Sequence, residues 1–197
     1  MDSKFEQGNR LFRIEKKDAI RVLGVSTPLA KEFEKAYEIA EALWERVLTE
    51  GAERGADGNI HSIGDEGTLL HDLALICNAE PNGAYGITIY GDEKQVENHE
   101  NWTFEDCRYY IGMPSTSPQG KFEEYVIPAL TWAVFPGKSF FSDENKTLDE
   151  RIYTEWLPTS GYEFVEGLEI HFILPLNEGD DLGNAPFEIW IPVKKSK

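Results

Sequence analysis

The sequence predicts an α+β fold built from two similar halves. Each half reads strand, helix, strand, strand, and together they make one antiparallel sheet with two helices on one face and a groove between the halves. Three observations lead there. The order of elements repeats at a spacing of roughly a hundred residues, too long for a solenoid array: RVLGVS, helix, YGITIY, CRYYIGMP is followed by TWAVFP, helix, LEIHFI, FEIWIPV. The helices are amphipathic, so each has one face to bury. A unit with so few strands leaves apolar surface uncovered, and pairing the two units covers it.

The chain has 197 residues, which fits one domain spanning 1–197, with pseudo-repeat halves at about 10–113 and 121–195. Hydrophobic residues make up 41% of it, enough for a sizeable core. No run approaches the ~20 apolar residues that span a bilayer, and the N-terminus MDSKFEQGNRLF lacks a signal-peptide core. A cytoplasmic protein with no membrane contact is expected. The net charge of −17 repels phosphate backbones, so direct nucleic-acid binding is not expected. An acidic surface is usually a solubility device, and it can also draw in cationic small molecules by long-range attraction. Cys77 and Cys107 match no metal or redox spacing and read as ordinary strand residues.

The elements follow in order. Residues 10–26 alternate at Leu11, Arg13, Ile20 and Val22, which predicts one or two strands. Thr27-Pro28 reads as an N-cap and first helical residue. A helix over 29–50 follows, with Leu29, Phe33, Ala36, Ala40, Leu43 and Val47 on one face and Gly51 as its stop. Residues 51–67 are a glycine-rich loop. Strands are predicted at Leu73–Cys77, Tyr85–Tyr90 and Cys107–Met113, and MPSTSPQG then joins the halves. In the second half, Phe122–Ile127 and Ala129–Phe135 read as strands hinged at Pro128. Thr147 and Glu150 form a capping box for a short helix carrying Leu148, Ile152 and Trp156, ended by Pro158. Strands at Leu168–Ile173 and Phe187–Val193 close the chain.

Five segments of the second half make a more specific pattern. They are Ile127-Pro128-Ala129, Trp132 to Gly137 (WAVFPG), Ile152 to Pro158 (IYTEWLP), Ser160-Gly161-Tyr162 and Glu188 to Val193 (EIWIPV). In this order they resemble the GyrI-like small-molecule-binding domain, the module that serves as effector-binding domain in AraC-type and multidrug-sensing bacterial regulators. The first half matches by layout and by Leu23-Gly24-Val25 before its helix. The resemblance implies a ligand groove between duplicated halves, lined by aromatic side chains, with a glutamate on a late strand meeting cationic ligands. Glu169 falls at that place, and His171 stands where the family often has tyrosine. No helix-turn-helix segment precedes the domain, so a stand-alone protein is expected rather than a complete DNA-binding regulator.

Read by alternation alone, Glu169 shares a strand face with His171 and Ile173, opposite Leu168, Ile170 and Phe172. A carboxylate buried there needs a partner, because desolvation penalises its charged form. The expected ligand-binding residues are Glu169, His171, Trp132, Phe135, Tyr153 and Trp156, with Trp44, Tyr90 and Tyr110 from the first half. Aromatic rings supply stacking area and cation–π attraction. The expected function is binding of a planar, cationic or aromatic, drug-like ligand for sensing or sequestration, with a protein partner or homodimer as the downstream element. One alternative, implied by hydrolases among the family's relatives, is opening of cyclopropanoid genotoxins by water addition. Glu169 would then activate water, and Tyr153 or His171 would steady the developing oxyanion. A second alternative is a protein-interaction module that blocks gyrase. No cofactor is expected. No metal site is identified either: the spacing of His61, Asp65 and His71 fits no zinc pattern, and Asp180-Asp181 lacks the later glutamate of a calcium loop.

Overall fold

The computed structural model describes residues 12–53, 55–56, 64–90, 107–165, 167–175 and 184–196. In chain order the elements are β1 (Arg13–Lys17), β2 (Ile20–Pro28), α1 (Phe33–Thr49), α2 (Leu69–Ile76), β3 (Ala84–Ile89) and β4 (Arg108–Pro114). The second half continues with β5 (Glu123–Ile127), β6 (Leu130–Gly137), α3 (Asp143–Arg151), β7 (Tyr162–Phe164), β8 (Leu168–Ile173) and β9 (Phe187–Lys195). A π-helical turn, Ile152–Trp156, and a 3-10 turn, Leu157–Thr159, follow α3 directly.

The strand order is β1-β6-β9-β8-β3-β4-β2-β5, with β7 beside β9, and every pairing is antiparallel. Two links force this sheet to curl. Asp18 and Ala19 alone join β1 to β2, and Pro128 and Ala129 alone join β5 to β6. Each link connects opposite ends of the sheet, yet two residues bridge at most about 11 Å. The ends therefore approach each other, and the sheet bends into a half-barrel. Its halves repeat one order, β2-β4-β3 and β6-β9-β8, and meet where β3 pairs with β8.

Each face of the sheet buries its own cluster. On one face Val22, Tyr85, Ile87, Trp132, Ile170 and Trp190 pack together with no helix residue among them, so the burial comes from the curl itself. On the other face α1 lays down Leu43, Trp44 and Val47, α2 adds Leu69 and Leu73, and Ile152 and Trp156 cover Phe135, Ile189 and Ile191. The two clusters follow from strict alternation along the strands. No described helix is long and apolar enough to cross a membrane.

Three predicted boundaries are corrected. Thr27 and Pro28 do not start a helix; they pair with Tyr109 and Arg108 at the end of β2. The available edge of β4 extends the strand, and α1 begins at Phe33 with no side-chain cap. The predicted strand Leu73–Cys77 is the end of α2, because Thr68 caps that helix by accepting from the His71 N–H at 3.1 Å. Leu69 and Leu73, four apart, supply its buried side. In α3 the cap is Ser142, which accepts from the Glu144 N–H at 3.2 Å. Thr147 lies inside the helix, donating to the Asp143 carbonyl at 2.8 Å. The earlier start carries Asn145 and Asp149 on one helical face. The Gly51 stop matches its φ of +82°, a left-handed conformation that glycine adopts without strain.

Candidate functional site

The site sits over the seam between the halves. On β8, Glu169 and His171 point toward the helices, opposite Leu168, Ile170 and Phe172, as alternation requires. Their cross-strand partners on β3 are small: Thr88 faces Glu169, and Gly86 faces His171. A Cβ at Gly86 would lie 2.3 Å from the Tyr109 hydroxyl oxygen and 3.2 Å from Trp44, so glycine lets these two rings lie close against the strand. Trp44 fixes Tyr109 by donating Nε1–H to its hydroxyl at 2.8 Å.

Above this floor opens a cavity of about 950 Å³, within the usual range for small-molecule sites. One wall is α1, with Tyr37, Ala40, Glu41, Trp44 and Leu48. The other is the start of α3 with Phe140, Phe141, Asn145, Lys146 and Asp149. Thr88, Tyr90, Tyr109, Glu169 and His171 make the floor. Lys146 does not project freely into the space: its ammonium lies 4.0 Å over the Tyr37 ring and 3.7 Å from Glu41.

Glu169 is 5% exposed. Tyr153, presented by the π-helical turn, donates its hydroxyl to Glu169 Oε2. His171 Nε2 stands 3.1 Å from Oε1, the distance of an ion pair, and has no other polar partner. Asp149 reaches in from α3. One oxygen of Asp149, one of Glu169 and one ring nitrogen of His171 all lie within 4.8 Å of one another. Asp149 Oδ1 and Asn145 Oδ1, both buried, accept no hydrogen bond.

The electrostatics follow from burial and crowding. Burial, and then the Glu169 charge, push Asp149 far above the carboxylate range, to about 8, while His171 pulls the other way. Burial opposes the charged form of His171, yet Glu169 and Asp149 outweigh it and raise the imidazole. Burial first, then Glu169, push Tyr90 and Tyr153 well above the usual phenol value, which keeps them neutral donors. Tyr37 rises to about 12 through burial, Glu41, Asp149 and Asp143. Two carboxylates and one imidazole thus share one dry cluster, in which the protonation of each depends on the others.

Among the residues expected from sequence, Glu169, His171, Trp44 and Tyr90 border the cavity. Tyr153 lies against Glu169 from behind. Phe135 and Trp156 pack on each other with centroids 4.9 Å apart, beneath the helices. Trp132 and Tyr110 lie on the opposite sheet face, Trp132 against Trp190 at 6.1 Å and Tyr110 donating to the Glu123 carbonyl at 2.7 Å. Reading the sequence missed Tyr109, Asp149, Asn145, Tyr37 and Phe140. Alternation in β4 makes Tyr109 and Tyr110 exclusive choices, and the register selects Tyr109. His61, His99 and Asp180-Asp181 lie outside the described residues.

The description of the GyrI-like small molecule binding domain matches residues 12–194. Among solved structures, the chain is similar to SAV2435 bound to tetraphenylphosphonium, with 14% identity, a TM-score of 0.67 and 93% of each chain covered. It is similar to a putative bacterial transcription regulation protein from Staphylococcus aureus MU50, with 14% identity, a TM-score of 0.65 and coverage of 93% and 97%. The EcmrR C-terminal domain is a third, at 15% identity, a TM-score of 0.50 and coverage of 93% and 97%. At these identities the likeness is one of fold. No curated protein matches the chain.

Proposed function

This chain belongs to the family of GyrI-like small-molecule-binding domains, and from that premise we propose that it binds a bulky aromatic cation in the cavity between α1 and α3. One observation carries the reading. The Glu169 carboxylate, 5% exposed, lies at the floor of a cavity of about 950 Å³ whose lining includes Tyr37, Trp44, Tyr90, Tyr109 and Phe140. A delocalised cation gives up little hydration on entering such a place. It meets a buried carboxylate in a weakly screened medium and aromatic faces that attract cations. A neighbour of the same fold is bound to such a compound, tetraphenylphosphonium.

The role proposed is sensing or sequestration in the cytoplasm, with another protein or a second copy carrying any signal onward. The putative transcription regulation protein among the neighbours supports sensing. The test is a charge series at constant shape, read by calorimetry and by quenching of Trp44 fluorescence. Tetraphenylphosphonium binds at one site, and the anion tetraphenylborate does not. Equal binding of both ions, or of neither, overturns the reading.

The contact of Tyr153 with Glu169 favours a second reading, in which Glu169 activates a water against a strained ring and Tyr153 steadies the product oxyanion. Mass spectrometry of a cyclopropane-bearing alkylator incubated with catalytic amounts of protein tests it. Water added over many turnovers supports the reading, and an unchanged compound rejects it.

A further inference from the structure

We propose that Asp149, Glu169 and His171 form a site for a first-row divalent metal ion, zinc by the character of its donors. The three donors are gathered closely enough to share one ion. His171 Nε2 and Glu169 Oε1 stand 3.1 Å apart. Two donors that each lie about 2.0–2.2 Å from an ideal tetrahedral ion are separated by roughly 3.3–3.6 Å, so the 3.1 Å spacing corresponds to a somewhat narrowed donor–ion–donor angle. The third donor, Asp149, comes from α3 across the cavity floor, within 4.8 Å of the other two. Asp149 Oδ1 is a buried polar atom with no hydrogen-bond partner, and a metal ion supplies one.

The surroundings suit an ion. Tyr153 donates to Glu169 Oε2, and Oε1 faces His171. Such outer hydrogen bonds orient a ligating carboxylate. One imidazole and two carboxylates are the donors of borderline ions rather than of calcium or magnesium. Three protein ligands leave a coordination position toward the cavity. Among the described residues no other group of three histidine, cysteine or acidic side chains is gathered closely enough to hold an ion. The metal and the organic cation draw on the same carboxylates and are therefore alternative occupants.

Cobalt(II) serves as a spectroscopic stand-in for zinc. Protein stripped with chelator and titrated with Co²⁺ should develop visible ligand-field absorption that saturates at one equivalent, and Zn²⁺ should abolish it. His171→Ala and Asp149→Asn should each remove the signal, while Glu163→Gln, an exposed glutamate on β7, should keep it. Circular dichroism of each variant shows whether it folds, and the wild-type titration needs no variant. Bound Zn²⁺ should weaken tetraphenylphosphonium roughly ten-fold or more, the effect of neutralising a close charge. The assignment falls if no saturable signal appears, if the signal survives in folded His171→Ala, or if tetraphenylphosphonium binds equally with Zn²⁺ present. Failure of the phosphonium to bind metal-free protein, with the Co²⁺ signal intact, overturns the organic-cation reading and leaves the metal site standing.

Discussion

Glu169→Gln keeps the shape of the cavity floor and removes its charge. The amide oxygen still accepts from Tyr153, so the π-helical turn keeps its anchor. A phosphonium centre held about 6 Å from a carboxylate, at an effective dielectric near 20, gains about 3 kcal/mol of attraction. Losing all of it would weaken binding by roughly a hundred-fold. Asp149 offsets part of that loss. After burial, the Glu169 charge is what holds its proton most firmly, so removing that charge lets Asp149 ionise more readily near neutral pH. The cavity then regains some negative charge from the opposite wall. The single substitution should therefore weaken tetraphenylphosphonium by about ten-fold, and Glu169→Gln with Asp149→Asn by about a hundred-fold. Calorimetry on metal-free protein near neutral pH measures both. An unchanged affinity in the double variant would refute the charge argument and leave ring stacking as the sole source of binding.

Other substitutions separate the site from its surroundings. Trp132→Phe alters the far face of the sheet, where the indole N–H is buried without a partner; phosphonium affinity should stay at the wild-type value, and a loss of affinity would place a binding surface there. Gly86→Ala drives a methyl group to 2.3 Å from the Tyr109 hydroxyl oxygen and should destabilise the fold by about 1–3 kcal/mol, visible as a lower melting temperature together with altered Trp44 fluorescence. Tyr153→Phe removes a hydrogen bond to a buried carboxylate, an interaction worth about 1.5–3 kcal/mol; a lower melting temperature is expected, and an unchanged one would mean that Glu169 finds another donor.

Strands were the legible part of the sequence, and the reason is their period. Alternation in LEIHFI assigned Glu169 to the face opposite Ile170 before any coordinates, and the core clusters divide along that line. The same parity separates Trp132 from Phe135 in TWAVF, but a run this rich in aromatics does not tell which face carries the cavity. Short apolar windows were ambiguous. Leu73–Cys77 is a short uninterrupted apolar run of a length that suits a buried strand or the end of a buried helix, and the Thr68 cap five residues before Leu73 settles it. Asp149 was out of reach for a different reason. Its importance lies in its distance from Glu169, and that distance depends on where α3 starts and how α3 lies over β8. Neither quantity has a local signal.

The site also depends on a difference between two halves that share one topology. Where β3 and β8 pair, the helix-facing positions of β3 are Ala84, Gly86 and Thr88, while those of β8 are Glu169, His171 and Ile173. Equivalent strands thus carry small, uncharged groups on one side of the seam and an acid and an imidazole on the other. Small residues alone would let the helices settle onto the sheet and close the space. Large charged residues on both sides would fill it and repel one another. The combination leaves room above β3 and directs polar groups from β8 into it. An acid placed at Gly86 would illustrate the point: it would displace Tyr109 and Trp44, which lie against that glycine, and remove the aromatic wall that a cation needs.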